Sequence, residues 1–236
     1  MGVLLQRRSG LVLGESQIGR LMRKYCLNAR TRQIRKARYA NRHVQTQGLA
    51  ANVLNRQFAA QRPGEKLLTD VTYVPYYESG QWHWGYLSLM LDLYDRSIVS
   101  WVYARKQDQQ LALNTLKIYS FKQGTQTGML HSDHGTIYTS HAFREKLKQM
   151  GLIQSLSRVG NCHDNAPMEC FNGILKVEGL YNEAFSQQQS PGFAQQNEVI
   201  ERFIEFYNHR RPSSVLNNMT PMDFRSQSNA QNSAAN

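Results

Sequence analysis

Two acidic motifs decide the predicted fold: MLHSDHGTIYTS at residues 129–140 and GNCHDNAPMECFNGILK at residues 160–176. Between Asp133 in the first motif and Glu169 in the second lie 35 residues, and Lys176 follows Glu169 by seven positions. The apolar residues before Asp133 predict a short strand, and those at helical spacing around Glu169 predict a helix. We therefore expect the aspartate at the end of a strand and the glutamate in the exposed first turn of a helix.

A third candidate carboxylate, Asp70, lies in the β-rich run LLTDVTYV at residues 67–74. Carboxylates that are brought together raise each other's pKa unless cations neutralise them. Mg²⁺ and Mn²⁺ prefer such oxygen ligands, and two of these ions can promote an in-line displacement at phosphorus. Each acid taken alone has a structural explanation, in a turn or in the first turn of a helix. Taken together, Asp70, Asp133 and Glu169 form a candidate metal site.

The order of the predicted elements is three strands followed by helix, strand, helix, strand and helix. Three strands with short connections are typical of an antiparallel meander, and the later alternation is typical of an α/β domain. A mixed five-stranded sheet with helices on its faces is therefore predicted, with functional groups collected at strand ends. Pro75 is expected to interrupt the first strand. The strands are predicted at residues 67–77, 84–94, 97–104, 128–132 and 152–156, and the helices at residues 109–122, 140–150, 166–177 and 197–207.

Positive charge is concentrated near the N-terminus. Half of the 28 Lys and Arg residues lie in residues 1–66, which contain only two of the 17 Asp and Glu residues. This asymmetry indicates a polyanion-binding arm joined to a nearly neutral domain. We predict a basic helical DNA-binding arm at residues 1–62, a catalytic core at residues 63–224, and a disordered tail rich in Ser, Asn, Gln and Ala at residues 225–236.

The arm contains an amphipathic helix, predicted at residues 16–27 with Ser16 as its N-cap. It resembles the last helix of a helix-turn-helix, but too few residues precede it for the usual complete unit. Packing of this helix on its own chain is the open alternative. A basic linker is predicted at residues 28–45 and a weak helix at residues 46–63. The candidate DNA-binding residues of the arm are Arg20, Arg23, Lys24, Arg30, Arg32, Arg35, Lys36 and Arg38.

Other side chains that can bind metals are interpreted as structural. Asp92 and Asp95 are expected to pair with Arg96. A zinc site stays open as an alternative, although no paired spacing of cysteines or histidines fixes its geometry. It would use Cys162, Cys170, His131, His134 and His163.

The sequence also limits where the protein is expected to act. It contains no apolar run of about 18 residues, so no membrane span is predicted. Its N-terminus lacks the pattern of a signal peptide. The three cysteines have no framework spacing, which is typical of proteins in a reducing cytoplasm.

The motifs resemble the integrase catalytic core and, more closely, transposases of bacterial insertion sequences of the IS-three family, in their second-frame (OrfB) product. The resemblance is carried by TDVTY at residues 69–73, by HSDHG and YTS within residues 131–140, and by Asp164-Asn165-Ala166 with Glu169 and Phe171. It covers about residues 16–224. Supporting stretches are RLMR at residues 20–23, SLSRVGN at 155–161, LKVE at 175–178, FYNHRRP at 206–212 and TP at 220–221.

This resemblance implies an RNase H-like fold of the retroviral integrase type, with a catalytic triad of Asp70, Asp133 and Glu169 and with Lys176 as a DNA contact. Enzymes of this family expose a 3′ hydroxyl at an element end and join it to another phosphodiester, using two Mg²⁺ or Mn²⁺ ions and no covalent protein intermediate. The implied partners are element-end and target DNA, further copies of the chain, and an upstream-frame DNA-binding product or fusion. The implied location is the bacterial cytoplasm, on DNA.

The chain departs from the family pattern at His134, where Arg is usual, and at Cys170, where Ser is usual. Neither is a predicted metal ligand, so the chemistry is expected to survive. The N-terminus departs further, because it begins inside the helix-turn-helix region, which predicts a truncated copy or a fragment that needs its upstream partner. Two other functions stay open: an inactive DNA-binding remnant, and an RNase H-type nuclease that releases nicked products instead of joining them.

Overall fold

The structure, a computed structural model, describes residues 2–25, 27, 50–123, 127–182 and 190–234. It divides into two compact units. The larger unit is Arg35–Ile204, and the smaller one combines Met1–Ile34 with Glu205–Asn236. Asp70, Asp133 and Glu169 all lie in the larger unit.

The larger unit is built on a five-stranded sheet. Its strands are β1 (Lys66–Glu78), β2 (Gln81–Asp92), β3 (Ile98–Ala104), β4 (Gly128–Ser132) and β5 (Leu152–Leu156). They lie in the order β3-β2-β1-β4-β5. The pairs β1–β2 and β2–β3 are antiparallel, whereas β1–β4 and β4–β5 are parallel. The predicted mixed sheet, with a meander followed by β-α alternation, is therefore confirmed.

The helices within or entering the larger unit are α3 (Gln109–Gln123), α4 (Thr136–Thr139), α5 (His141–Gln149), α6 (Ala166–Ile174) and α7 (Phe193–His209). Side chains of α3, α4 and α5 pack with Leu67, Met90 and Leu130 of the sheet in one buried cluster. Since neighbouring residues of a strand point to opposite faces, Leu67 and Asp70 face opposite sides of the sheet. Asp70 is hydrogen-bonded to α6, so α6 packs on the face opposite α3.

The smaller unit contains α1 (Gly2–Ser9), α2 (Glu15–Lys24) and α8 (Pro221–Ala234). α2 begins after Gly14, so Ser16 lies within its first turn and is not the N-cap that we predicted. α8 continues to Ala234, through residues for which the composition predicted disorder. Among the described residues, no helix is long and apolar enough to cross a bilayer.

β1 and β2 form a hairpin, as predicted for strands with short connections, but the predicted interruption of β1 at Pro75 is absent. Ser79 and Gly80 have φ angles of +52° and +81°, as required by a two-residue hairpin turn. β1 continues through Pro75. The N–H of Tyr77 donates to the carbonyl of Pro191, away from β2. Pro75 lies two residues earlier on the same open edge, so its missing N–H removes no bond between strands.

The weak helix predicted at residues 46–63 is wrong for the described residues 50–63, which contain no helix. Asn55 and Arg56 have φ angles of +42° and +60°, in the left-handed region that helices exclude. The N–H groups of Val53 and Leu54 donate to Ser155 Oγ, each at 3.0 Å. The Leu54 side chain is buried. Contacts with the core therefore replace the hydrogen bonds that a helix would make.

The helix predicted to run from residue 166 to residue 177 changes its type within that range. α6 ends at Ile174, and a π-helix follows over Leu175–Leu180. A Cβ atom at Gly179 would lie 2.8 Å from the ring of Phe203 in α7, so this residue allows the π-helix to approach α7 closely.

Candidate active site

The sequence predicted that the three candidate carboxylates could meet at one edge of the sheet, and in the structure the charges of Asp133 and Glu169 both act on Asp70. β1 pairs with β4 only as far as Leu68, opposite His131, and Asp70 follows two residues later. Asp133 comes directly after β4, beside this free edge of β1. Glu169 lies in the first turn of α6, which packs on β1.

The charges of these carboxylates influence one another. Burial, followed by the negative charge of Asp133 and more weakly that of Glu169, raises the pKa of Asp70 from its ordinary value of 3.8 to about 7. Hydrogen bonds from the Val71 backbone and from Asn172 act in the opposite direction. After burial, the charges of Asp70 and Asp133 also raise the pKa of Tyr138, well above its ordinary value. Negative charge is therefore concentrated at the end of β4, which favours a cation there.

The raised pKa of Asp70 predicts that metal-free protein loses stability as the pH rises. An aspartate in the unfolded chain titrates near 3.8 and Asp70 in the folded chain near 7. Between these values the folded state binds more protons, so stability falls with increasing pH. We expect Asp70→Asn to stabilise metal-free protein by about 2–4 kcal/mol at pH 8 and by little at pH 4. Denaturant titrations in EDTA measure this difference, and an equal effect at both pH values would contradict it.

Two of the carboxylates are held by neighbouring groups. Asn172 Nδ2 donates to Asp70 Oδ2 at 2.9 Å, and the N–H of Gly135 donates to Asp133 Oδ1 at 2.8 Å. A Cβ atom at position 135 would lie 2.9 Å from that same oxygen, so a larger residue would crowd Asp133. Sequence reasoning missed Asn172. Its signal was the helical spacing of three residues from Glu169, which places both side chains on one face of a helix.

The environment of Glu169 largely follows the sequence pattern. Pro167 lies in the first turn of α6, and Met168, Phe171 and Leu175, whose helical spacing indicates one apolar face, are buried. Asn165 occupies the N-cap position, but its side chain makes no capping hydrogen bond. Instead, its Nδ2 donates to the carbonyl of Thr69 at 3.4 Å, beside Asp70. The start of α6 is thereby connected to the strand that carries the first carboxylate.

The helix predicted over residues 166–177 includes Lys176, but in the structure this residue lies in the π-helix. In an α-helix, seven residues make about two turns, so Glu169 and Lys176 would project from nearly the same side. The wider turns of a π-helix change that angle. Lys176 is partly exposed.

The candidate DNA-binding residues of the arm are only partly described. Arg20, Arg23 and Lys24 are exposed on α2. The remaining five candidates lie outside the residues that the structure describes: Arg30, Arg32, Arg35, Lys36 and Arg38.

Within the described ranges, no three His, Cys, Asp or Glu side chains stand close enough to hold a metal ion as they are placed. For the zinc alternative, His131 is buried with Nδ1 2.8 Å from Ser155 Oγ and Nε2 3.0 Å from Ser157 Oγ. Burial lowers the pKa of His131 to about 4. Both ring nitrogens are thus engaged by hydroxyl groups, and Cys170 is exposed. The Cys162 side chain is outside the described part of the chain.

The carboxylates of three other aspartates have structural roles. Asp92 accepts hydrogen bonds from the N–H groups of Gly64 and Tyr94. Asp95 accepts one from the N–H of Ser97. Asp164, whose place shortly before α6 is typical of a helix cap, binds two arginines instead.

Comparison with known proteins decides which family has this site. Models of the integrase core domain match residues 60–162 and 150–221. The putative transposase InsK of insertion sequence element IS150 from Escherichia coli is 35% identical over 93% of this chain and 74% of its own length. The chain belongs to the IS-three family of insertion-sequence transposases. The transposase for insertion sequence element IS904 of Lactococcus lactis is 32% identical over 92% of this chain and 82% of its own length.

Solved structures show the same fold for this transposase. The catalytic core domain of HTLV-2 integrase, in complex with magnesium, is 16% identical with a TM-score of 0.55, covering 70% of this chain and 97% of that one. A chain of the simian T-cell lymphotropic virus intasome is 18% identical with a TM-score of 0.59, covering 79% of this chain and 60% of that one. The RNase H-like fold of the integrase type is thereby confirmed. As a transposase with an integrase core, the protein is a polynucleotidyl transferase that acts on DNA.

Proposed function

We propose that Asp70, Asp133 and Glu169 are the catalytic residues of this transposase and that they bind two Mg²⁺ or Mn²⁺ ions for DNA strand cleavage and strand transfer. The observation that carries this proposal is the position of Asp70 on β1, near the end of β4 that precedes Asp133 and hydrogen-bonded to α6, the helix that carries Glu169. The raised pKa of Asp70, to which the charges of Asp133 and Glu169 contribute, supports it. Carboxylates that interact in this way bind hard divalent cations readily. The fold relationship to an integrase core solved with magnesium supports the choice of metal.

The donor set fits the cations, although the side chains do not form a complete ligand set as they stand. Asp133 is exposed and Glu169 partly exposed, so both can turn toward Asp70 without breaking the core. When bound, the ions would activate an attacking oxygen and stabilise the leaving oxygen at a phosphodiester. The pKa of about 7 leaves the Asp70 carboxyl partly protonated at neutral pH, and the carboxyl would release that proton to solvent on binding a cation.

The neighbouring residues keep the carboxylates in position. Asn172 donates to Oδ2 of Asp70, and the backbone of Val71 also hydrogen-bonds to this carboxylate. Among the described atoms, Asn172 Oδ1 has no hydrogen-bond partner, so it can accept from a water or a ligand at the site. The N–H of Gly135 donates to Asp133 Oδ1. Fixed donors of this kind reduce the reorganisation that the reaction requires.

In this proposal, positively charged side chains outside the triad bind DNA. Arg20, Arg23 and Lys24 on α2 contact phosphates, together with the basic residues that follow them, and Lys176 guides the strand that enters the site. The division into a DNA-binding arm and a catalytic core belongs to the same proposal, in which residues 50–62 are part of the core because Val53, Leu54 and Arg56 hydrogen-bond to it. We also propose that several copies assemble on DNA and that an upstream-frame partner or fusion recognises the element ends. The proposed place of action is DNA in the bacterial cytoplasm.

A strand-transfer assay tests this function. A labelled duplex that carries the element end is incubated with the transposase and a target plasmid, in Mg²⁺, in Mn²⁺ or in EDTA. We expect joined products in either metal and none in EDTA. Nicked or shortened products without joining would support the nuclease alternative. Tight DNA binding without any reaction in either metal would support the inactive remnant.

A further inference from the structure

The loop between β5 and α6 leads into the helix that carries Glu169, and it is held by one buried carboxylate. Asp164 accepts hydrogen bonds from the backbone N–H and Nε of Arg158 at 2.9 Å and from its Nη2 at 2.7 Å. It also accepts from Arg56 Nε at 2.7 Å and from Asn52 Nδ2 at 2.9 Å. Asp164 therefore ties this loop to a segment more than 100 positions earlier in the chain.

The two sides of this contact differ in exposure. The Asp164 side chain is 0% exposed, whereas those of Arg56 and Arg158 are 43% and 50% exposed. Hydrogen bonds from Arg158, followed by that from Arg56, hold the pKa of Asp164 far below its ordinary range. Loss of Arg56 would still leave the buried carboxylate paired with Arg158. The contribution of Arg56 can therefore be tested without leaving a buried charge unpaired.

The backbone conformation around Arg56 accompanies its contact with Asp164. Asn55 and Arg56 are both left-handed, a conformation that residues other than glycine rarely adopt. The N–H of Asn55 donates to Asn52 Oδ1 at 2.8 Å. Arg56 Nη2 also donates to Asn161 Oδ1 at 2.9 Å, on the same loop. Sparsely populated backbone conformations persist where the surrounding structure fixes them, often beside functional sites.

The contact is close in sequence to the catalytic carboxylates. Asp164 precedes Asn165, whose side chain donates to the carbonyl of Thr69 beside Asp70. Glu169 follows Asp164 by five residues. The start of α6 is therefore held from two directions, by the early segment through Asp164 and by β1 through Asn165.

We propose that Asn52 and Arg56 are positioning residues for catalysis. By holding Asp164 they fix the start of α6 and set the distance of Glu169 from Asp70 and Asp133. This inference rests on the catalytic role proposed above for Glu169. Both positioning residues precede residues 60–162, the segment that the first integrase-core model matches.

The test uses the full chain with Arg56→Gln and, as a matched control, Arg62→Gln. Arg62 is an exposed arginine of the same early segment, and its Nη2 donates to the carbonyl of Thr127 and not to the loop between β5 and α6. A small misplacement of a catalytic group can reduce the rate about a hundredfold. We expect Arg56→Gln to lower the kcat of strand transfer about 10- to 100-fold with KM and DNA affinity within about twofold, and Arg62→Gln to change none of them.

Limited proteolysis supplies a readout that is independent of activity. Trypsin cleaves after arginine, and in the folded protein the Arg158 side chain is bound to Asp164. Loss of a charge-assisted hydrogen bond that holds this loop should speed cleavage after Arg158 about tenfold in Arg56→Gln. Cleavage after Arg158 should stay at the wild-type rate in Arg62→Gln. This comparison remains valid even if wild-type protein shows no strand transfer, which would refute the proposed function alone.

A double-mutant cycle with Asp164→Asn completes the test. If Arg56 acts through Asp164, adding Arg56→Gln to Asp164→Asn should lower kcat by less than about threefold further. The inference is overturned by an unchanged kcat in Arg56→Gln, by unchanged trypsin cleavage, or by full additivity with Asp164→Asn. It is also overturned if the loss of activity follows an equal loss of DNA affinity, which would make Arg56 a DNA contact.

Discussion

Glu169→Gln is expected to reduce strand transfer about a thousandfold or more, a loss of about 4 kcal/mol or more in transition-state stabilisation. The substitution keeps the size of the side chain and removes one of the three charges proposed to bind the metal ions. Since the proposed ions would activate the attacking oxygen and stabilise the leaving one, loss of one of their ligands would weaken both effects. Asp70→Asn and Asp133→Asn are expected to have effects of the same size. Joining of a labelled element end measures the loss.

The control for this prediction is Glu145→Gln, the same chemical change at an exposed position of α5. It should retain wild-type joining. DNA affinity in EDTA and the melting temperature should stay close to wild type for Glu169→Gln, because its side chain is only partly buried at the start of a helix. Joining within tenfold of wild type would eliminate Glu169 as a metal ligand.

The second large effect is expected when the charges of α2 are neutralised. Each phosphate contact contributes about 0.9 to the slope of log affinity against log salt on duplex DNA. Joint replacement of Arg20, Arg23 and Lys24 by glutamine should reduce that slope by about 2.7 and lower affinity at 0.1 M salt about a hundredfold or more. Titrations of one duplex at several salt concentrations measure both quantities.

The matched control carries the same change in net charge on α5, with Arg144, Lys146 and Lys148 replaced by glutamine. Its salt slope should stay close to wild type because these residues are not among the proposed DNA contacts. Equal slopes for wild type and the α2 variant would show that α2 is not an electrostatic contact to DNA. An equal loss in both variants would assign the effect to net charge instead of to the arm.

The sheet could be predicted from the sequence because its signals are local. The Ser79-Gly80 turn and the β-rich runs on either side of it fix the β1–β2 hairpin without reference to the rest of the chain. The same holds for Asp133 directly after β4 and for Glu169 in the first turn of α6. The influence of both charges on Asp70 follows from the topology of a mixed sheet, in which such groups collect near strand ends.

The contacts around the site could not be predicted in this way, because they join distant segments. Residues 50–63 have a weak helical pattern, yet the N–H groups of Val53 and Leu54 donate to Ser155 on β5, an edge strand of the sheet. Asp164 resembles a helix cap in sequence, whereas the structure pairs it with Arg56, over 100 residues away. Tertiary hydrogen bonds of this kind override local propensity, and one sequence contains no signal of which residues will form them.

Binding of Mn²⁺ to the crystalline transposase tests the central proposal most directly. Anomalous diffraction locates Mn²⁺ independently of activity, and a soak at millimolar Mn²⁺ would be compared for wild type and Glu169→Gln. We predict anomalous peaks in wild type within about 2.5 Å of carboxylate oxygens of Asp70, Asp133 and Glu169, with at least one peak lost in the variant. Peaks only at other sites, or unchanged peaks in Glu169→Gln, would contradict the assignment of these three residues as the metal ligands.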